Sequence, residues 1–360
     1  MKKISLVAAS LLFASGLVAQ SSFDKAVTSG TVSGDVTLYG ENVSQDSADD
    51  AGFTSSSIGL AYETAEFNSF KAAVGFRGNH DFSEENDGDY DGGNDVKSIF
   101  HTVNISYAND IFGLTVGRQE IDLEWMGDFH ESIVAGITAI PNTTIVLGYS
   151  NRIAVADADA VLEEYSKFNG DKGAYVLDVK YEGIEGLVVN PYYYNADDVA
   201  SWYGLKGDYD TDAFGVTAHI ASSSEDVGAD GEIMKLEARA NVSGIALSTG
   251  YITTDEDAGT GSMDAVGDNI NPLEEGNQVY AADANTFYLS AGYEVAGFEL
   301  GAMYGQTEFG DFEEKELNLS ASYGITDNLS SGLLYLDVNA DENNGDADYN
   351  KVALTLEYSF

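Results

Sequence analysis

Apolar and polar positions alternate strictly over the last nine residues of the chain. Val352, Leu354, Leu356, Tyr358 and Phe360 fall on one face, and Ala353, Thr355, Glu357 and Ser359 on the other. A repeat of two residues means a strand with one apolar and one polar face. The same alternation recurs upstream. Phe70, Ala72, Val74 and Phe76 interleave with Lys71, Ala73, Gly75 and Arg77, and Phe214, Val216, Ala218 and Ile220 with Gly215, Thr217, His219 and Ala221. Strands are predicted at 31–43, 53–65, 70–79, 98–108, 112–119, 132–140, 144–152, 173–182 and 187–195. They continue at 202–209, 213–222, 233–242, 245–253, 285–295, 298–307, 316–324, 329–338 and 349–360. The count is eighteen, with sixteen as the alternative, and an even number suits a single-chain bacterial barrel.

The connections alternate as well. Short turns such as Asp210-Thr211-Asp212, Ser243-Gly244 and Ala296-Gly297 take turns with longer acidic stretches near 44–52, 80–97, 120–131, 153–172, 196–201, 225–232, 254–283, 308–315 and 339–348. Short periplasmic turns opposite long extracellular loops are the layout of a transmembrane antiparallel up-and-down β-barrel. A soluble sandwich also alternates, but its apolar faces meet in a dry core. Here the polar faces are rich in Gly, Ser, Thr, Asn, Glu, Lys and Arg, which suits a wet interior. Lipid offers no hydrogen bonds, so a spanning sheet has to close on itself. Tyrosines at strand ends, including Tyr107, Tyr181, Tyr293 and Tyr358, fit interfacial girdles.

The first nineteen residues stand apart. Lys2 and Lys3 precede an apolar, small-residue run from Ile4 to Val18, with Ala19 as the last residue before cleavage. That is a signal peptide, leaving 20–360 as the barrel domain. No other stretch supplies the eighteen or so apolar residues of a membrane helix. The chain has no Cys, which excludes disulfides, thiolate nucleophiles and Cys-ligated zinc. The formal charge is −45, or −47 without the two lysines of the signal, so nucleic acid is excluded as a partner. The same charge points to an aqueous path that attracts cations.

The acidic stretch Glu120-Ile121-Asp122-Leu123-Glu124-Trp125-Met126-Gly127-Asp128-Phe129-His130-Glu131 lies between two strands. It is the candidate constriction, with Arg118 and Arg152 as basic partners across a narrow pore. Alternation points Arg152 inward but sets Arg118 on the face of Leu114 and Val116, so Arg118 needs a bulge or a strand end to reach the lumen. Lumen-facing bases are expected at Lys71, Arg77, Lys180, Lys206, Lys235 and Arg239. Asp87, Asp89, Asp91 and Asp95 alternate around Gly92 like the first half of a calcium loop, although Ser98 stands where the bidentate glutamate belongs. Calcium on this outer loop is a candidate, and no other cofactor is expected. His80, His101, His130 and His219 are scattered, with His101 expected to face lipid or the rim, so no catalytic constellation forms.

With these residues in hand, the chain resembles bacterial porins and is similar to the OprD-like group, in the branch common among epsilonproteobacteria. Thr31-Val32-Ser33-Gly34-Asp35-Val36-Thr37-Leu38-Tyr39 resembles the first strand of that group. Gly113-Leu114-Thr115-Val116-Gly117-Arg118-Gln119-Glu120 resembles the fifth, running into the constriction loop. The ending Tyr358-Ser359-Phe360 resembles the signal that the barrel-insertion machinery reads in outer-membrane proteins generally. The resemblance implies an eighteen-stranded Gram-negative outer-membrane barrel in lipid and lipopolysaccharide, often a homotrimer, passing small hydrophilic solutes by diffusion. It also implies an arginine ladder for carboxylate substrates, and here the chain departs, with 16 Lys and Arg against 61 Asp and Glu. A diffusion porin with a preference for cations is therefore expected. The alternative is a structural or adhesive surface barrel whose acidic loops bind divalent cations or partners, which a lumen plugged by bulky side chains would favour.

Overall fold

The computed structural model describes residues 22–46, 49–90, 92, 96–341, 344 and 347–360. The expected signal peptide, at 1–19, lies outside them. A short helix α1 (Phe23–Thr28) comes first, capped by the Ser22 side chain on Lys25 N–H. Eighteen strands follow: β1 (Thr31–Gln45), β2 (Ala51–Glu63), β3 (Phe70–Glu84), β4 (Ser98–Asn109), β5 (Phe112–Glu120), β6 (Phe129–Ile137), β7 (Thr143–Ala154), β8 (Ala174–Ile184) and β9 (Leu187–Ala196). The second half holds β10 (Ala200–Asp210), β11 (Phe214–Glu225), β12 (Glu232–Val242), β13 (Ile245–Thr254), β14 (Ala284–Val295), β15 (Phe298–Phe309), β16 (Phe312–Gly324), β17 (Leu329–Asn339) and β18 (Tyr349–Ser359).

Each strand pairs antiparallel with its sequence neighbours, and β1 pairs with β18, from Asp35↔Ser359 to Gln45↔Tyr349. The sheet is a closed barrel without a free edge, the form a sheet needs in lipid. Phe360 adds to the seam, because its N–H donates to Gly34 O and its carbonyl accepts from Gly34 N–H, both at 3.0 Å. Along β18, Val352, Leu354 and Tyr358 are exposed on the outer face while Ala353 is buried inside. Aromatic pairs mark both edges of the apolar belt. Phe70–Tyr107 and Phe298–Tyr323 lie at the short-turn end, with ring centroids 5.0 and 4.6 Å apart, and Tyr149–Tyr175 at the long-loop end, 5.0 Å apart.

Turn chemistry closes the short-turn end. Ser243 and Gly244 both have positive φ, at 55° and 84°, as a two-residue type I′ hairpin requires. Two expected loops are corrected at the other end. The connection between β9 and β10 spans only 197–199, because the strands take up Ala196, Ala200 and Ser201, and that between β15 and β16 only 310–311, because the strands continue through Glu308, Glu313 and Glu314. β6 lies at Phe129–Ile137 rather than at 132–140. Phe129, His130 and Glu131 extend the ladder with β5 and β7, and the chain turns before Pro141.

A candidate pore constriction

The constriction begins where β5 leaves the wall. β4 and β5 pair from Asn109↔Phe112 to Val103↔Arg118 and no further. β5 and β6 stay paired two residues beyond, to Glu120↔Phe129. The hairpin end therefore separates from β4, which continues beside β3 up to Ser98. Gly117 allows this course, with φ at 125° and no room for a Cβ beside the Val103 carbonyl. The separation uncovers backbone carbonyls on β4 that need partners. Arg118 Nη1 donates to Phe100 O at 3.1 Å, and the Tyr165 hydroxyl donates to His101 O at 2.6 Å. The Arg118 guanidinium lies over the Tyr165 ring, 4.2 Å from its centroid.

The tip, residues 121–128, reaches β9 and β10. Trp125 and Met126 are fully buried. Trp125 Nε1 donates to the Tyr192 hydroxyl on β9 at 2.8 Å, and Lys206 Nζ on β10 donates to Glu124 at 2.7 Å. The connection between β13 and β14, residues 255–283, locks the tip from the other side. Gly127 N–H donates to Val266 O at 2.9 Å, and Asn269 Nδ2 donates to Asp122 at 2.7 Å and to Leu123 O at 2.9 Å. Trp125, Met126, Ile270 and Leu273 join inward residues of β6 and β8–β14 in one apolar cluster. That cluster fills one side of the lumen. Across it, β1–β3 and β16 present Asp35, Glu41, Ser57, Arg77, Glu314 and Glu316.

Of the acids in the predicted stretch, Arg118 and Arg152 pair with Glu131, which lies in the wall on β6, at 2.8 and 3.4 Å. Alternation had Arg152 pointing inward with Ser150. The register slips by one residue between Glu131 and Ser132, so Ser150 stands opposite Ser132 while Arg152 stands opposite Glu131. His101 is also placed differently: its ring packs on Phe129 with centroids 4.4 Å apart, near the close approach to Gly75.

Among the loop acids, Glu124 is buried against Lys206 and belongs to the anchoring of the tip. Glu120 lies within electrostatic reach of Asp157, Asp122 and Asp128, and Asp128 within reach of Asp157. Asp157 comes from the connection between β7 and β8, residues 155–173, whose Asp157 and Ala160 carbonyls accept from the inward-facing Asn79 at 3.0 and 2.9 Å. Burial, with Asp157 and Glu163 nearby, pushes Asp128 up to about 6. Burial and then Asp159 raise Asp157 as well. Among the described residues neither Asp128 nor Asp157 enters an ion pair. Alternation had no means of finding Asp157, Asp159 or Glu275, because they lie in connections without periodicity.

The expected lumen bases all have carboxylate neighbours. Lys71 pairs with Glu63 at 2.6 Å, Arg77 with Asp35 at 2.8 Å and Lys180 with Glu182 at 3.6 Å. Lys206 pairs with Glu124 at 2.7 Å, Lys235 approaches Glu237 at 3.8 Å, and Arg239 pairs with Glu237 at 2.9 Å and Asp210 at 3.1 Å. Of the calcium candidates, Asp91 and Asp95 lie outside the described residues. Asp89 Oδ2 accepts from the N–H groups of Gly52 at 3.0 Å and Asn86 at 2.8 Å, and Asp87 is exposed. Among the described residues no group of three or more His, Asp or Glu is arranged to hold a metal.

Comparison with known proteins agrees with this layout. OpdO of Pseudomonas aeruginosa superposes with a TM-score of 0.76 over 94% of this chain and 98% of its own, at 15% identity. OpdQ of the same species gives 0.74 over 94% and 99%, at 14% identity. OccAB4 of Acinetobacter baumannii gives 0.72 over 91% and 98%, at 13% identity. At such identities the likeness establishes the fold. No curated protein sequence matches the chain. The family model described as Gram-negative porin matches residues 5–346, and with that span covered the chain belongs to the Gram-negative porins, channels of the outer membrane for small solutes.

Proposed function

We propose that this porin passes small hydrophilic solutes and ions with a preference for cations. The observation that carries the reading is the uneven pairing of lumen charges. Each expected lumen base has a carboxylate within 4.0 Å, whereas among the described residues Asp128 and Asp157 enter no ion pair. Fixed net negative charge at a narrow point raises the local concentration of cations and lowers that of anions. Glu120, Asp122 and Asp128 with Asp157 are the charges assigned to selectivity. Glu124 is set apart as an anchor, and Arg118, Glu131 and Arg152 as a wall contact.

The test is single-channel recording in a planar bilayer with a potassium chloride gradient. The reversal potential is expected to take the cation-selective sign, and the triple variant Glu120→Gln, Asp122→Asn, Asp128→Asn to move it toward zero. An anion-selective sign in the wild type would sink the preference. The last strand supports insertion by the barrel-assembly machinery, with Tyr358 and Phe360 on its outward face and Phe360 hydrogen-bonded across the seam.

A further inference from the structure

The connection between β13 and β14 meets the polar wall at two buried carboxylates of β16, Glu314, which accepts from Asn277 Nδ2 at 3.5 Å, and Glu316. Glu316, inward on β16, is 1% exposed. Its Oε1 accepts from the backbone N–H groups of Glu274 and Glu275, at 3.0 and 3.2 Å, and its Oε2 from that of Gly276 at 2.8 Å. Three consecutive N–H groups thus converge on one side chain forty residues away in sequence. Hydrogen bonds to an ionised acceptor are among the stronger ones available to a protein. No basic side chain pairs with Glu316 among the described residues. The backbone of the connection is its counter-charge.

The residues so held carry charge at the open side of the lumen. Glu275 pairs with Lys351 on β18 and lies within electrostatic reach of Tyr39, whose hydroxyl donates to Glu41 at 2.7 Å. Glu274 is in reach of Asp159, and burial followed by the Glu316 charge raises it. The neighbouring Asn277 donates to the Tyr349 hydroxyl at 3.2 Å. At its other end the connection grips the constricting tip through Val266 and Asn269. It is a strap across the lumen with one foot on the tip and one on β16.

We propose that Glu316 is a positioning residue for the pore. It fixes the strap against β16 and thereby sets both the free cross-section and the place of the Glu274 and Glu275 charges. The inference rests on the cation-preferring reading for its selectivity part alone. Glu316→Gln keeps the size but replaces one acceptor oxygen with a donor facing an N–H group, so the strap loses one of its three backbone hydrogen bonds to Glu316 and the charge that strengthens them, while β16 keeps its ladder.

The full-length porin is tested in planar bilayers. For Glu316→Gln, single-channel conductance and open-channel noise are expected to rise. The cation-to-anion permeability ratio is expected to fall toward one, and added protease to cleave within 255–283 while the barrel stays folded. Glu316→Asp should recover part of each. A second variant, with two glycines inserted between Glu274 and Glu275, breaks the run of N–H groups without touching β16 and should behave like Glu316→Gln. Wild-type conductance, permeability ratio and protease resistance in either folded variant would overturn the proposal. An anion-selective wild type would remove the cation preference yet leave the conductance and protease arms able to decide the role of Glu316.

Discussion

Arg118 on β5 donates to the carbonyl of Phe100 on β4 across 3.1 Å, just beyond the last residue pair that joins the two strands. The contact replaces a ladder hydrogen bond with a side-chain one. A barrel in lipid cannot leave backbone carbonyls unpaired, because nothing outside can satisfy them. A hairpin can therefore fold into the lumen only where its departure is covered. Arg118 and Tyr165 cover it, at Phe100 and His101 respectively.

Replacing Arg118 by Met should thus act on stability before selectivity. The change leaves the Phe100 carbonyl without its donor and Glu131 without its shorter ion pair. Loss of one partner from such a contact costs about 1–3 kcal/mol. Urea unfolding in detergent micelles should show an earlier midpoint, and the reversal potential in a salt gradient should stay near the wild-type value. A large change in reversal potential with no loss of stability would return Arg118 to the selectivity filter.

The barrel itself was legible in the sequence because most strands write their two faces in alternating residues, as β18 does from Val352 to Ser359. Parity also set Lys206 and Arg239 on the inner face. Parity failed at Arg152, because one extra residue, Asn151, moves the register and alternation carries no mark of a bulge. The partners of the constriction were hidden for another reason. Glu124 with Lys206, Asp122 with Asn269, and Glu316 with residues 274–276 meet through connections that have no period. Composition showed that such stretches were acidic. It could not show that Glu124 is neutralised while Asp128 is not.

Asp128 gives the pore a pH dependence. Its carboxyl is held up at about 6 by burial and by Asp157 and Glu163. An unperturbed aspartate titrates near about 3.9. As pH falls through about 6, Asp128 takes up a proton and the aperture loses a negative charge. The cation-to-anion permeability ratio should therefore drop between about pH 7 and about pH 5, one unit to either side of that value. Asp128→Asn should begin from the lower ratio and change less over the same range. A wild-type ratio that is flat down to about pH 4.5, where ordinary carboxylates take over, would rule out the assignment.

Lipid and lumen faces of one strand should answer unequally to the same substitution. Leu354 points outward from the middle of β18 with 58% of its surface exposed, and its neighbour Thr355 points inward. An arginine near the bilayer midplane on the lipid face costs about 2–4 kcal/mol, whereas lumen positions tolerate charge. Leu354→Arg should lower the unfolding free energy in lipid vesicles by about that amount, and Thr355→Arg by much less. Equal losses at the two positions would contradict the inside–outside assignment of β18.

Lys206 and Glu124 form the buried anchor of the constricting tip, 2.7 Å apart, with Glu124 8% exposed. Among the described residues Glu124 Oε2 has no hydrogen-bond donor, and His219 Nδ1 stands 4.0 Å from it. Removing the lysine alone leaves a carboxylate buried with no close base. Breaking a buried pair from one side costs about 3–5 kcal/mol, while replacing both members by apolar groups of similar size is often near neutral. Lys206→Met should therefore destabilise strongly and loosen the tip, which will show as added open-channel noise. The double variant Lys206→Met, Glu124→Leu should recover most of the stability in urea unfolding, and because Trp125 still donates to Tyr192, it should keep a quiet channel. A double variant as unstable as Lys206→Met would mean that the ion pair acts through contacts other than its own charges.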